Sequence, residues 1–242
     1  MLIQLTAVQN LDKMDVILVP PFLAVVAASA ATIQVTLVPL DIVSFGGHLE
    51  LPSKSRTKRN SLPEFQTVHV PLMDFYDVCI SDNMNTGQYA PPTSLSLIVF
   101  PTLSRLESRQ GRKALFVRFA IDPVTGFITS GVAPFEKASI MLDVVAPFNI
   151  PFGSYPEHAR LGTTGRRAVW LEQSLKSDYV RMVRLDYDPL AKCAPSVEVL
   201  LPPDPQLPFK PSACRALAFD EATGRLCLGT YNGSIYILDY YY

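Results

Sequence analysis

An all-β chain built from short antiparallel meanders is what this sequence predicts, and three features predict it. Proline outnumbers glycine, 21 to 12, in a chain of 242 residues whose apolar and charged shares are 48% and 18%. That balance suits short strands with rigid connections and works against long helices. Apolar side chains alternate with period 2 in several stretches, clearest at Ser94–Phe100 (SLSLIVF), Lys113–Ile121 (KALFVRFAI) and Arg167–Glu172 (RAVWLE). A D-x-x-T-G turn occurs twice, at Asp122–Gly126 and Asp220–Gly224, 98 residues apart. Two units of about 45–50 residues fill that offset, which is the repeat length of propeller blades. The predicted architecture is therefore a β-propeller of about four to five blades, a partial or small ring, with residues 1–242 as one domain. An immunoglobulin-like sandwich array is the structural rival.

In the N-terminal half, strands are expected at Leu2–Val8, Val16–Val19, Thr32–Leu40, Val68–Leu72 and Phe75–Ile80. Asn10-Leu11-Asp12, Gly46-Gly47, the polar run Pro52–Pro63 and the loop Asp82–Pro92 separate them. The segment Val16–Val43 admits two readings, because its Ile17–Ala31 core is continuously apolar. A membrane helix needs about 20 apolar residues. Pro20-Pro21 would break such a helix, and the alternation TIQVTLV after Ala31 favours two buried strands. A cleaved signal peptide fits poorly, since Asp12 and Asp15 precede the run and Lys13 is the one basic residue there.

The C-terminal half is more regular. Its clearest units span about 94–135, 160–190 and 207–240. In the first, Lys113–Ile121 leads into the turn at Asp122 and Gly126, and Phe127–Val132 returns. Ser104–Lys113 is the best helical candidate, or a loop. In the second, the turn Gly162-Thr163-Thr164-Gly165 precedes Arg167–Glu172, and Tyr179–Tyr187 follows. The last is a three-strand meander: Cys214–Phe219, the Asp220–Gly224 turn, Arg225–Tyr231, the Asn232-Gly233 turn and Ser234–Tyr240. Asp122 and Asp220 are expected to cap their turns through side-chain bonds to the backbone, with Gly224 at positive φ. Asn232-Gly233 predicts a type I′ turn with positive φ at both residues. A three-strand meander of this size does not stand alone, so it must be one unit of something larger.

Composition also narrows function. A formal net charge of −1 gives no electrostatic reason to expect a nucleic acid or an anionic membrane as partner. Cys79, Cys193, Cys214 and Cys227 form no C-x-x-C pair and read as buried reduced thiols of an intracellular protein. No nucleophile elbow, zinc-protease, dinucleotide-binding or P-loop motif occurs, and His48, His69 and His158 each stand alone. No cofactor and no metal is expected. The GTTG turn followed by Arg166 and Arg167 could cradle a phosphate, but reads first as a tight turn before a strand. Lys54–Arg59 is the one basic cluster and reads as a solvated loop or a weak nuclear-import signal. Trp170 is a candidate partner contact, as are Arg166 and Arg167; its alternative is packing between strands.

The stretches GTTGRRAVWLE (162–172) and LPFKPSACRALAFDEATGRLCLGTYNGSIYILDY (207–240) resemble the C-terminal WD40-like propeller of F-box-type proteins of mushroom-forming fungi. The resemblance is strong over 162–240, extends to about 94–135, and is faint before that. It implies a non-enzymatic protein-interaction propeller that presents substrates to a cullin ubiquitin ligase, with a Skp1-type adaptor among its partners, in the cytoplasm or nucleus. No F-box segment is visible in these residues: Leu51-Pro52 and Leu62-Pro63 have no amphipathic helix after them. The alternatives are a propeller hydrolase with a central metal and a protein attached to a membrane through Val16–Val43.

Overall fold

The computed structural model describes residues 11–19, 22–29, 32–39, 66–71, 75–80, 94–101, 112–123, 138–175, 180–188, 190–191, 193–201 and 208–239. They form an all-β structure of four antiparallel sheets that follow one another along the chain. The first holds β1 (Leu11–Val19), β2 (Phe22–Ser29), β3 (Thr32–Pro39) and β4 (Gln66–Pro71). The second holds β5 (Phe75–Ile80), β6 (Ser94–Pro101), β7 (Arg112–Pro123) and β8 (Ala138–Ile150). The third holds β9 (Ser154–Leu161), β10 (Arg167–Ser174), β11 (Val180–Asp186) and β12 (Ser196–Leu201). The fourth holds β13 (Cys214–Asp220), β14 (Arg225–Thr230) and β15 (Ile235–Asp239). Within every sheet each strand pairs with the next in sequence, so each sheet is a plain meander.

Period-2 alternation explains how these sheets stack. On β6, Leu95, Leu97 and Val99 pack toward the first sheet, while Ile98 and Phe100 pack toward the third. On β10, Ala168 and Trp170 face the second sheet, while Val169 and Leu171 face the fourth. The strand β11 splits the same way, Val183 and Leu185 against Val180 and Met182. A strand whose residues are apolar on both faces is buried on both, which is why RAVWLE reads as a nearly continuous apolar run. Three cores result, one between each pair of successive sheets. The middle one is aromatic: the Trp170 ring lies 5.7 Å from Phe100 and 5.9 Å from Phe148. In the last, Phe209 stacks on Tyr236 with ring centres 4.7 Å apart, tying the chain before the 3-10 turn Pro211–Ala213 to the fourth sheet.

Several expectations need correction. Val16–Val43 contributes three strands, the end of β1 with all of β2 and β3, instead of two. Val19 pairs with Phe22 on either side of Pro20-Pro21. No helix among the described residues is long and apolar enough to cross a membrane. The strands Ala138–Ile150, Ser154–Leu161 and Ser196–Leu201 were not anticipated. Asp122 and Pro123 still pair within β7–β8, with Ser139 and Ala138, so no five-residue turn begins at Asp122. Gly126 and the expected strands Leu2–Val8 and Phe127–Val132 lie outside the described residues. His158 sits in β9. Two residues there, His158 and Ala159, oppose Trp170 alone, and His158 takes φ 53°. That is a β-bulge with its extra residue in the left-handed region.

The final hairpin differs in turn type. Its loop is three residues, Tyr231–Gly233, closed by Thr230 N–H donating to Ser234 O and Gly233 N–H donating to Thr230 O, each 3.0 Å. Only Gly233 has positive φ, at 82°. This is the type I turn with a glycine bulge rather than type I′. Asn232 Oδ1 accepts from Ser234 N–H and from the Thr230 hydroxyl, an arrangement that holds the loop without requiring Asn232 to be left-handed.

Candidate functional site

The described surface carries a cleft of about 420 Å³ between the second and third sheets. One wall is the end of β8, with Pro147, Phe148, Asn149 and the following Pro151; the other is β12, with Val197, Glu198 and Val199. Cross-strand register shows how it arises. Trp170 on β10 lies opposite Val183 on β11, which lies opposite Val199 on β12. Along that row exposure rises from 1% to 2% to 43%. The row begins as core and ends as an open apolar wall, because β8 covers its inner two members and not its last.

The next row gives the cleft its polar groups. Glu172 on β10 lies opposite Arg181 on β11, on the face that carries Trp170 and Val183. Arg181 Nε and Nη2 both donate to Glu172 Oε1, at 2.8 and 2.5 Å. Glu172 is only 3% exposed. Arg181 is half-buried, whereas Glu172 is enclosed, so it is removal of Arg181 that leaves an uncompensated buried charge, at a cost of about 3–5 kcal/mol. Glu198, at the rim, is bound by Arg184, which also pairs with Asp186 at 2.7 Å. Neither Glu172 nor Arg181 was singled out from sequence. The available signal was an acidic residue that continues the strand face of Ala168 and Trp170, two positions beyond Trp170, where alternation calls for an apolar one.

The turns expected from sequence occupy other places. Gly165 and Gly224 have φ of 67° and 68°. Gly165 N–H donates to Gly162 O at 3.0 Å, closing the GTTG turn. This turn does hold an anion, but one supplied by the chain itself: Thr164 N–H and its hydroxyl donate to Glu221, at 2.7 and 2.5 Å. Glu221, buried, belongs to the D-x-x-T-G turn of the fourth sheet. That carboxylate occupies the position a phosphate would take. In the same turn Asp220 accepts from Ala222 N–H at 3.0 Å and from the Thr223 hydroxyl at 2.6 Å. The Thr223 hydroxyl, ahead of its other neighbours, holds the Asp220 carboxyl below its ordinary pKa.

The three residues expected to meet a partner separate. Trp170 is enclosed in the aromatic core and has no surface to offer, which corrects that assignment in favour of packing. Arg167 pairs with Asp186 at 3.1 Å. Arg166 is exposed. Lys54–Arg59 and His48 lie outside the described residues. Among the described residues no group of three His, Cys, Asp or Glu side chains is placed to hold a metal ion.

The cysteines are unbridged, but only Cys214 is buried; Cys193 is exposed, and Cys79 and Cys227 lie between. Burial, as the largest effect, pushes the Cys214 thiol up in pKa. Thiolate is the reactive form. A limiting amount of iodoacetamide on the native protein is therefore expected to label Cys193 first and to leave Cys214 unlabelled until denaturant is added. Peptide mass mapping checks the order; early labelling of Cys214 would contradict its burial.

A scan against protein-family models finds no match to this chain, and a search of curated proteins finds none either.

Proposed function

We propose that the four sheets are successive blades of a WD40-like β-propeller, and that the chain is a non-enzymatic protein-interaction module whose partner docks at the cleft between the second and third blades. The propeller reading is supported by meanders in strict chain order, by face-to-face packing of each sheet on the next, and by neighbouring first strands: β5 lies against β9, and β9 against β13. First strands gathered on one side and last strands at the rim are what blades around an axis require. The resemblance to F-box-type proteins adds the further reading of a substrate receptor in ubiquitin ligation, acting in the cytoplasm or nucleus with a Skp1-type adaptor.

The observation that carries the interaction reading is the open apolar wall of the cleft. Val197 and Val199 are 38% and 43% exposed beside Pro147, Pro151 and Pro195, in a concavity within the usual size of binding clefts, about 300–1,000 Å³. Concave apolar surface with a polar rim is characteristic of partner sites. Affinity purification of the tagged chain from its source cells tests this, with Val197→Asp/Val199→Asp as the control. The expected result is a set of bound proteins recovered with wild type and reduced at least tenfold with the variant. Equal recovery with both would reject the cleft as the docking surface. Recovery of a Skp1-type adaptor would support the ligase reading, and a distinct partner without that adaptor would remove it.

A further inference from the structure

We infer that the outer face of the fourth sheet is a dimerisation surface, occupied by the same face of a second copy of this chain about a two-fold axis along β14. Cross-strand register lays the face out. Leu217, Phe219, Leu226, Leu228, Tyr236 and Leu238 pack toward the third sheet. The alternate residues point away from it in two rows, Ala216–Gly229–Ile235 and Ala218–Cys227–Ile237. Ile235 and Ile237 are 69% and 67% exposed, and Ala216 and Ala218 are exposed as well. The end unit of a stacked array needs a polar outer face to stay apart in solution, whereas a contiguous apolar one marks an interface. A third row, Asp220–Arg225–Asp239, closes one end of the face; there Arg225 donates to Asp239 within the chain, in solvent, and adds little.

Shape selects the occupant. On this face β13 and β14 offer only Ala216, Ala218, Cys227 and Gly229, a shallow trough. A Cβ added at Gly229 would meet nothing closer than the Ala216 Cβ, at 3.4 Å. Beside the trough β15 raises a ridge of the same two-row length, Ile235 and Ile237. A two-fold axis parallel to β14, midway between two such faces, lays each ridge on the other copy's alanines and brings the two Cys227 to the axis. A patch that carries both a ridge and its matching trough is self-complementary, which is what a two-fold interface requires. The first sheet of the same chain is not the cover. Its residues facing away from the second sheet, Val25, Ala27 and Val38, are already buried, while Ile235 and Ile237 stay open. Three strands of five residues bury about 1,000 Å² between two copies, the lower bound for a specific interface. The expected dissociation constant is therefore modest, about 1–100 μM.

Sedimentation equilibrium of the purified full chain, from about 1 to about 200 μM, tests this. Wild type is expected to pass from monomer to dimer across that range. Ile235→Lys and Ile237→Lys should each raise the dissociation constant at least tenfold, because each would bury a cation against the other copy's alanines. Both positions are exposed enough to accept lysine in the folded monomer, and circular dichroism checks that they do. A short bismaleimide acting on the Cys193→Ser variant should link two chains through Cys227, with the bridge identified by peptide mass mapping. Wild type monomeric at the highest concentration, or a dimer undiminished in both lysine variants, would overturn the assignment. A link through any other cysteine would overturn the axis and with it the packing described. Val197→Asp/Val199→Asp should leave the dimer unchanged, so this surface and the cleft stand or fall separately.

Discussion

Gly162→Ala is expected to lower the unfolding free energy by about 3 kcal/mol, adding overpacking to the loss of charge-assisted hydrogen bonds. For a chain of this size that corresponds to a fall in Tm of roughly 6–12 °C. A methyl group at position 162 would lie 2.3 Å from Glu221 Oε2 and 2.6 Å from Glu221 Cβ. The carboxylate would have to leave, giving up both bonds from Thr164 and stranding a buried acid between the third and fourth sheets. Gly233→Ala is the control. Its residue sits at φ 82° with nothing within 4 Å of an added Cβ, so only the left-handed backbone penalty of about 1–2 kcal/mol applies. Because Glu221 Cβ is itself in the way, Glu221→Ala should not rescue Gly162→Ala, whereas Glu221→Gly should recover part of the loss. Urea unfolding of the two single and two double variants measures this. A Gly162→Ala variant no less stable than Gly233→Ala would remove the inter-sheet contact from the account.

How much of this was legible in the sequence follows from which forces are local. Strand positions in the C-terminal half were readable because alternation and turn chemistry are encoded within a few residues, as at Arg167–Glu172 and Asp220–Gly224. The Asn232-Gly233 turn was located correctly but typed wrongly. Dipeptide propensity says that a glycine there will be left-handed; the register of β14 with β15 decides how many residues the loop holds. Asp122–Gly126 looked like a copy of the later turn, yet β7 runs on through Pro123 because its pairing with β8 does. The strand at Ala138–Ile150 escaped because its pattern is interrupted by Asp143, Pro147 and Asn149 on a half-exposed edge.

The candidate site was less readable still. A cleft between two sheets depends on which faces meet, and that is a property of stacking. Glu172 is instructive, since it stood in plain view inside RAVWLE. Its importance appears only when β11 brings Arg181 opposite and β8 closes over the row. The GTTG turn shows the converse. As a tight turn before a strand it was legible from its own residues, but the group its backbone meets, Glu221, comes from 57 residues further along.

Trp170→Ala carries the largest expected effect, about 3–5 kcal/mol, because it empties the aromatic core that joins the second and third sheets. Trp170 is 1% exposed and contacts Phe100 edge to face and Phe148 at a tilt. It is also the sole tryptophan of the chain. Intrinsic fluorescence of the native protein therefore reports on this one core, and blue-shifted emission is expected, moving to the red as urea separates the sheets. Trp170→Phe should cost much less than the alanine variant, for two opposing reasons. A smaller ring leaves a void, which destabilises. Yet the indole Nε1 has no hydrogen-bond partner among the described residues, and deleting a buried unsatisfied donor returns about 1–3 kcal/mol. The phenylalanine variant should thus lie within about 2 kcal/mol of wild type. Urea unfolding followed by circular dichroism compares all three proteins, since two of them lack the fluorophore. Native emission as red as that of free tryptophan in water, or an alanine variant that unfolds with wild type, would place Trp170 back at the surface as a partner contact. The cleft at the end of its row would then lose its floor, because Val183 and Val199 are held in line by the same packing.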